Sequence, residues 1–150
     1  MKKVSLIFGI ALIVASSIAF NGCKKKVCTD PDSVNYDPKA KKDDFTCKYE
    51  GEVVFWYGQV TADSLLNDGA TSLTYYVDGN IVGSSAASIY WTGATGPDCG
   101  EGGAVTVTKD LSNVKTQSYS YSVKDQTGFE YWGGTLNFNA NTCLVLELPW

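Results

Sequence analysis

Leu73-Thr74-Tyr75-Tyr76-Val77-Asp78-Gly79-Asn80-Ile81-Val82 is the stretch on which the fold turns. Leu73, Tyr75 and Val77 stand at every second position, so in an extended chain they share one face while Thr74 and Tyr76 share the other. Asp78-Gly79 supplies the two positive φ values of a type I′ turn, and an apolar run resumes directly after it. A β-hairpin follows, with one side apolar and the other wet.

The same period of two recurs on both sides of this hairpin. Val105 and Val107 alternate with Thr106 and Thr108, and Tyr119, Tyr121 and Val123 alternate with Ser118, Ser120 and Ser122. Expected strands are Glu52–Gln59, Ser72–Val77, Asn80–Ser84, Ala87–Trp91, Ala104–Lys109, Ser118–Lys124, Glu130–Phe138 and Cys143–Leu148, separated by glycine and aspartate turns. No stretch holds a helical period for three turns, so the expected class is all-β. Short strands repeating at roughly eight to twelve residues bury their apolar faces as two packed antiparallel sheets, which predicts an antiparallel β-sandwich over residues 51–150.

The 150 residues are 44% hydrophobic and 19% charged, enough for one ordinary domain and a short appendage. All twelve cations are lysine, and the chain has neither arginine nor histidine. It therefore lacks the commonest general base and zinc ligand, and also the planar fork that grips phosphates in pairs. Nucleic-acid binding and His-dependent catalysis are disfavoured, and no Gly-x-Ser-x-Gly elbow is present. An enzyme is not expected.

At the other end, Met1-Lys2-Lys3 precedes an apolar segment from Val4 to Phe20, followed by Asn21-Gly22-Cys23 and three lysines. Seventeen apolar-rich positions with three serines are marginal for a permanent span, so residues 1–22 read as an export signal. Ala19-Phe20-Asn21-Gly22-Cys23 resembles the lipobox of bacterial lipoproteins, with Gly22 as the small residue before the cysteine. Phe20 and Asn21 depart from the usual residues of that motif. The resemblance implies cleavage before Cys23 and acylation of its thiol, a membrane anchor in which each buried methylene contributes about 0.8 kcal/mol. Lys24, Lys25 and Lys26 then form a lysine-rich tether over residues 23–27, beside the head groups.

Setting Cys23 aside leaves Cys28, Cys47, Cys99 and Cys143, an even number that in an exported chain implies disulfides. Three pairings are possible. The local one, Cys28 with Cys47 and Cys99 with Cys143, keeps each bridge inside one compositional segment and is the pairing expected. Those segments differ in charge: residues 23–50 carry seven lysines against six acids, and residues 51–150 carry three against ten. The boundary falls near Glu50, making residues 28–50 a module too poor in aliphatics to build a core without its bridge. Tyr36 and Phe45 are the large side chains expected to cover that bridge.

Within this module Cys28-x-Asp30-Pro31, then Asn35-Tyr36-x-Pro38-x-Ala40, then Asp43-Asp44-x-x-Cys47 resembles a short Cys- and Asp-rich repeat of Gram-negative envelope and secreted proteins. Phe45 stands where such repeats usually have glycine, which makes a positive-φ turn harder there. Asp30, Asp32, Asp37, Asp43 and Asp44 offer hard oxygen ligands of the kind calcium prefers, although the spacing is not that of an EF-hand. A calcium-stabilised module is one expectation; solvated, turn-forming aspartates are the plainer one.

Fourteen of the nineteen aromatics follow Glu50, more than a core this small can hide. Neighbours in Phe55-Trp56-Tyr57 and Tyr131-Trp132 point to opposite faces, so part of each run faces away from the core. Exposed rings with polar edges stack on sugars, and Trp56, Trp91 and Trp132 are the candidate ligand-binding residues. The segment also resembles small lipoprotein β-sandwich domains of bacterial envelopes, a resemblance that implies no catalytic residues. The resulting expectation is a lipid-anchored cell-envelope protein that binds or scaffolds, with a glycan or an envelope protein as partner and a carbohydrate-binding accessory role as the alternative.

Overall fold

The computed structural model describes residues 27–150, and the expected signal segment, Cys23 and Lys24 to Lys26 lie outside the described residues. The described residues are mostly β, with one helix. In order, its elements are β1 (Tyr49–Trp56), α1 (Gln59–Asn67), β2 (Ser72–Val77), β3 (Asn80–Ala86), β4 (Val105–Ser112), β5 (Thr116–Asp125), β6 (Glu130–Asn139) and β7 (Cys143–Glu147). They form a three-stranded sheet in the order β4-β1-β7 and a four-stranded sheet in the order β3-β2-β5-β6. Among the described residues no helix is long and apolar enough to cross a membrane.

The hairpin forms as its sequence dictates. Val77 pairs with Asn80, and Asp78 (φ 54°) and Gly79 (φ 74°) make the turn. Leu73, Tyr75 and Val77 are buried, as is Val123 across the sheet on β5. In the other sheet Val53 and Phe55 point inward, and Phe55 packs between Tyr75 and Tyr121 with ring centroids 5.5 and 5.7 Å away. One core thus joins the two sheets, and Leu65, Leu111, Leu136, Phe138 and Leu148 complete it.

Three expectations are corrected. The first is helix α1, where no helix was expected. It buries Thr61, Ala62 and Leu65 on one face. Its two and a half turns are too short to display a period over three. It ends in a Schellman motif: Ala70 N–H bonds Leu65 O (2.9 Å) and Gly69 N–H bonds Leu66 O (3.1 Å), with Gly69 at φ 93°. Second, Ala87–Trp91 is a loop rather than a strand. Ala87 is buried with its amide on Thr71 O, and the Trp91 amide bonds Tyr57 O, so neither feeds a ladder. Third, the sheets are not purely antiparallel, because β7 pairs parallel to β1 from Glu52↔Cys143 to Trp56↔Glu147.

Both local disulfides form. Cys28–Cys47 has an S–S distance of 2.01 Å and Cys99–Cys143 one of 1.98 Å. The first holds the small module, whose aspartates act as turn caps: Asp30, Asp37, Asp43 and Asp44 each accept the amide two residues on, at 2.8–3.1 Å. Asn35 ties its two arms together through Thr46 O (2.8 Å) and the Lys48 amide (2.9 Å). Tyr36 and Phe45 are exposed, at 42% and 89%, with Phe45 lining a recess beside Cys47 and Tyr49. Cys28 is instead buried beside Ser33, with Tyr49 at the start of β1 also closed off from solvent. β1 begins at Tyr49, so the strand runs across the charge boundary near Glu50.

Phe45 nevertheless takes the conformation that glycine would favour, with φ 62°. A left-handed non-glycine residue costs about 1–2 kcal/mol, and this exposed ring recovers little of it by packing. Phe45→Gly is therefore expected to stabilise the protein, by about 1 kcal/mol once the extra freedom of glycine in the unfolded chain is subtracted. Urea denaturation of the two proteins side by side is the check, and a lower midpoint for the variant would refute it.

Candidate functional site

Phe129 stands just before β6, and Tyr131 is the extra residue of a bulge at the start of the strand, between the pairs Glu130↔Lys124 and Trp132↔Val123. The Phe129 and Tyr131 rings meet edge to face at 5.0 Å. Tyr131 also touches Trp132 (5.6 Å) and Trp150 (6.0 Å), and Trp132 stacks on Tyr57 at 6.4 Å with planes 18° apart. The outer members of this row are open, Phe129 at 59% and Trp150 at 61% exposure. Interplanar angles of 76° and 40° along Phe129-Tyr131-Trp150 show that the three rings are not coplanar.

Polar groups fix the row from beneath. Asp125 Oδ1 accepts from the Thr127 amide (2.8 Å), the Thr127 hydroxyl (2.7 Å) and the Phe129 amide (2.9 Å), which sets the β5–β6 turn. Desolvation raises the Asp125 carboxyl, but these bonds outweigh it and hold the group below its ordinary pKa. Gln126 clamps this turn to the end of the helix, giving its amide to Gly69 O (3.0 Å) and accepting from the Thr71 and Ser72 amides (2.9 and 3.3 Å).

Asp68, which caps the helix, accepts the Tyr131 hydroxyl at 2.7 Å. That bond, with lesser help from desolvation, pushes the Tyr131 phenol up to about 12. The neutral donor is the form favoured by folding. Its contribution is complete below the ordinary phenol value near 10 and is lost as pH rises through about 12.

Two recesses flank Asp68. One, of about 370 Å³, is lined by Gly69, Gln126, Thr127, Phe129 and Tyr131 with Asp68 and Asp125. The other, of about 280 Å³, is lined by Ser64, Asn67 and Trp150 with Asp68. The two meet at Asp68 and are both shallow and open to solvent, so the surface groove they outline is edged by aromatic and polar residues.

Of the three tryptophans expected to bind, only Trp132 belongs to this row, and its indole N–H is committed to Pro149 O at 2.8 Å. Trp56 lies on the outer face of the three-stranded sheet, under the glycine-rich loop before β4. A Cβ on Gly96 would stand 2.5 Å from Val145 Cγ1 and 2.9 Å from Trp56 Nε1, so only glycine lets the loop lie this close. The Trp56 Nε1 atom is buried without a hydrogen-bond partner among the described residues. Trp91 gives its indole N–H to Thr95 O at 2.5 Å. No ring contact joins any two of Trp56, Trp91 and Trp132 among the described residues. Sequence reasoning missed Phe129, Tyr131, Trp150 and Asp68. The signal present was Phe129-x-Tyr131, two rings two positions apart next to a turn.

The expected calcium ligands are divided among other tasks. Asp30 and Asp32 hold the Lys115 ammonium, at 2.7 and 2.8 Å, and Asp30 also accepts the Tyr49 hydroxyl at 2.9 Å. The Lys115 hydrogen bond keeps the Asp30 carboxyl below its ordinary pKa, with the Asp32 amide adding to it. Lys115 sits between β4 and β5, so this pair docks the module onto the body. Asp37, Asp43 and Asp44 cap turns, and among the described residues no group of three or more His, Cys, Asp or Glu side chains is arranged to hold a metal ion.

Comparison with known proteins finds no match: no family model, no curated protein and no solved structure matches this chain.

Proposed function

We propose that the chain is a lipid-anchored protein of the bacterial cell envelope, tethered through acyl chains on Cys23 and displaying a β-sandwich whose aromatic groove is its binding surface. The observation that carries this reading is the cysteine pairing. Cys28–Cys47 and Cys99–Cys143 consume four of the five cysteines, which suits an oxidising compartment. The sequence holds no further thiol with which Cys23 could pair, and Cys23 follows directly on an apolar segment that resembles an export signal.

The shared core of the two sheets, with Phe55 between Tyr75 and Tyr121, supports the sandwich architecture. Its binding role rests on the row Phe129, Tyr131 and Trp150, which leaves the large apolar rings of Phe129 and Trp150 open to solvent beside polar residues. Isolated exposed aromatics are ordinary, whereas a contiguous row is a feature of interaction sites.

Intact-mass analysis of the protein purified from bacterial membranes tests the anchor. The expected product begins at residue 23 and carries diacylglycerol on that cysteine. A Cys23→Ala variant is expected to leave the membrane fraction. An unmodified residue 23 in the mature protein would overturn the reading.

A further inference from the structure

We infer that the groove between the end of α1 and the start of β6 is a binding site for an uncharged oligosaccharide, taken along Phe129, Tyr131 and Trp150. This rests on the reading of the groove as the protein's binding surface and supplies its ligand class.

Three observations select the occupant. First, the groove alternates aromatic faces with polar edges: Phe129, Tyr131 and Trp150 adjoin Ser64, Asn67, Asp68 and Thr127. A pyranose ring presents both an axial C–H face and equatorial hydroxyls, so stacking and edge hydrogen bonds are satisfied together. An apolar helix laid in the same groove would leave the Asp68 carboxylate and the Asn67 amide facing hydrocarbon, at a cost of several kcal/mol for the ion alone.

Second, the charge excludes anions. Asp68 and Asp125 line the groove and no lysine does, while Lys124 is ion-paired with Glu130 across β5 and β6 at 3.4 Å. Phosphorylated, sulfated or uronic ligands would meet repulsion here, as would an anionic lipid head group.

Third, the site is built before any ligand arrives. Gln126 makes three hydrogen bonds from the turn to the helix end, Asp125 makes three within the turn, and Asp68 holds the Tyr131 ring by its hydroxyl. With the turn and Tyr131 held in this way, that part of the row loses little freedom on binding, which favours a ligand that is itself stiff and weakly held per contact.

The test uses the full-length protein in detergent on a glycan array bearing neutral, sialylated and sulfated oligosaccharides. Isothermal titration then follows with the neutral oligosaccharide that gives the strongest signal. The expected result is binding confined to neutral glycans, weakened about tenfold or more in Trp150→Ala and in Phe129→Ala, each of which removes one stacking face. Both rings are largely exposed, so the fold is expected to persist, and circular dichroism with thermal denaturation confirms it.

Phe45→Ala removes a still more exposed ring, 89%, from the disulfide-held module outside the groove and is expected to leave binding unchanged. Absence of neutral-glycan binding, preference for anionic glycans, or affinity indifferent to the Phe129 and Trp150 substitutions would each overturn the proposal. The acyl mass at Cys23 is measured on the same preparation. A lipidated protein that ignores sugars defeats only the ligand assignment, whereas an unlipidated one defeats the envelope anchor.

Discussion

Phe55→Ala is expected to destabilise the protein by about 4 kcal/mol, enough to leave it marginally folded. Phe55 is 1% exposed on β1, and its ring lies within 6 Å of both Tyr75 and Tyr121, which belong to the opposite sheet. Alanine removes a ring packed between the sheets, and the flanking Tyr75 is not free to collapse into the space. Tyr75 is tied to the Ser85 hydroxyl at 3.2 Å, and its phenol is pushed well above the ordinary value by burial. Guanidinium denaturation followed by far-ultraviolet circular dichroism measures the loss. Phe55→Leu keeps part of the volume and is expected to lose less than half as much. Equal losses for the two variants would show that the aromatic packing itself, rather than filled volume, holds the sheets together.

Removing the second bridge, as Cys99→Ser with Cys143→Ser, is expected to cost about 4 kcal/mol through the 44-residue separation it closes. Its structural consequence is local. Cys143 begins β7, the parallel partner of β1, and Cys99 anchors the loop that covers Trp56. Val54 is fully buried although it points away from the central core, and Pro97 in the loop is fully buried as well. With the bridge gone, the loop leaves this face and the Val54 and Trp56 amides exchange hydrogen faster, while the Tyr75 amide in the other sheet changes only with global stability. Hydrogen exchange resolved by residue separates the two effects. A uniform acceleration across both sheets would mean that the loop contributes no local cover.

The proposed glycan site and these stability effects depend on different parts of the molecule. Phe55 and the Cys99–Cys143 bridge act on the core and on the outer face of the three-stranded sheet. Phe129 and Trp150 both stand against Tyr131 at the surface, where solvent reaches them. Variants at the groove are therefore informative about binding without large losses of fold, because little apolar surface is buried there to begin with.

Strand periodicity carried much of the architecture from sequence alone. Leu73, Tyr75 and Val77 announce their shared face by spacing, Asp78-Gly79 announces the turn between β2 and β3, and the cysteine positions favour the two local bridges that form. These features are local: a period of two, a pair of positive φ values and a short loop closure need no knowledge of distant residues.

The helix was less visible because nine residues give only three buried positions, and its clearest sign, the Asp68-Gly69 step, equally suits a turn. The parallel pairing of β1 with β7 was invisible for a different reason. Its partners lie some ninety residues apart, and nothing in either strand specifies direction.

By itself, the sequence determined a disulfide-stapled, strand-rich chain without the residues for His-dependent chemistry, because composition, period and cysteine count act at short range. Tertiary structure alone decided which aromatics are available. The Trp56 and Trp91 indole groups are covered or committed, while Phe129 and Tyr131 from one segment and Trp150 from another are gathered around Asp68 at the end of the helix. Which rings are buried and which meet one another is set by how the sheets, the helix end and the covering loop pack together, and that packing depends on contacts far apart along the chain.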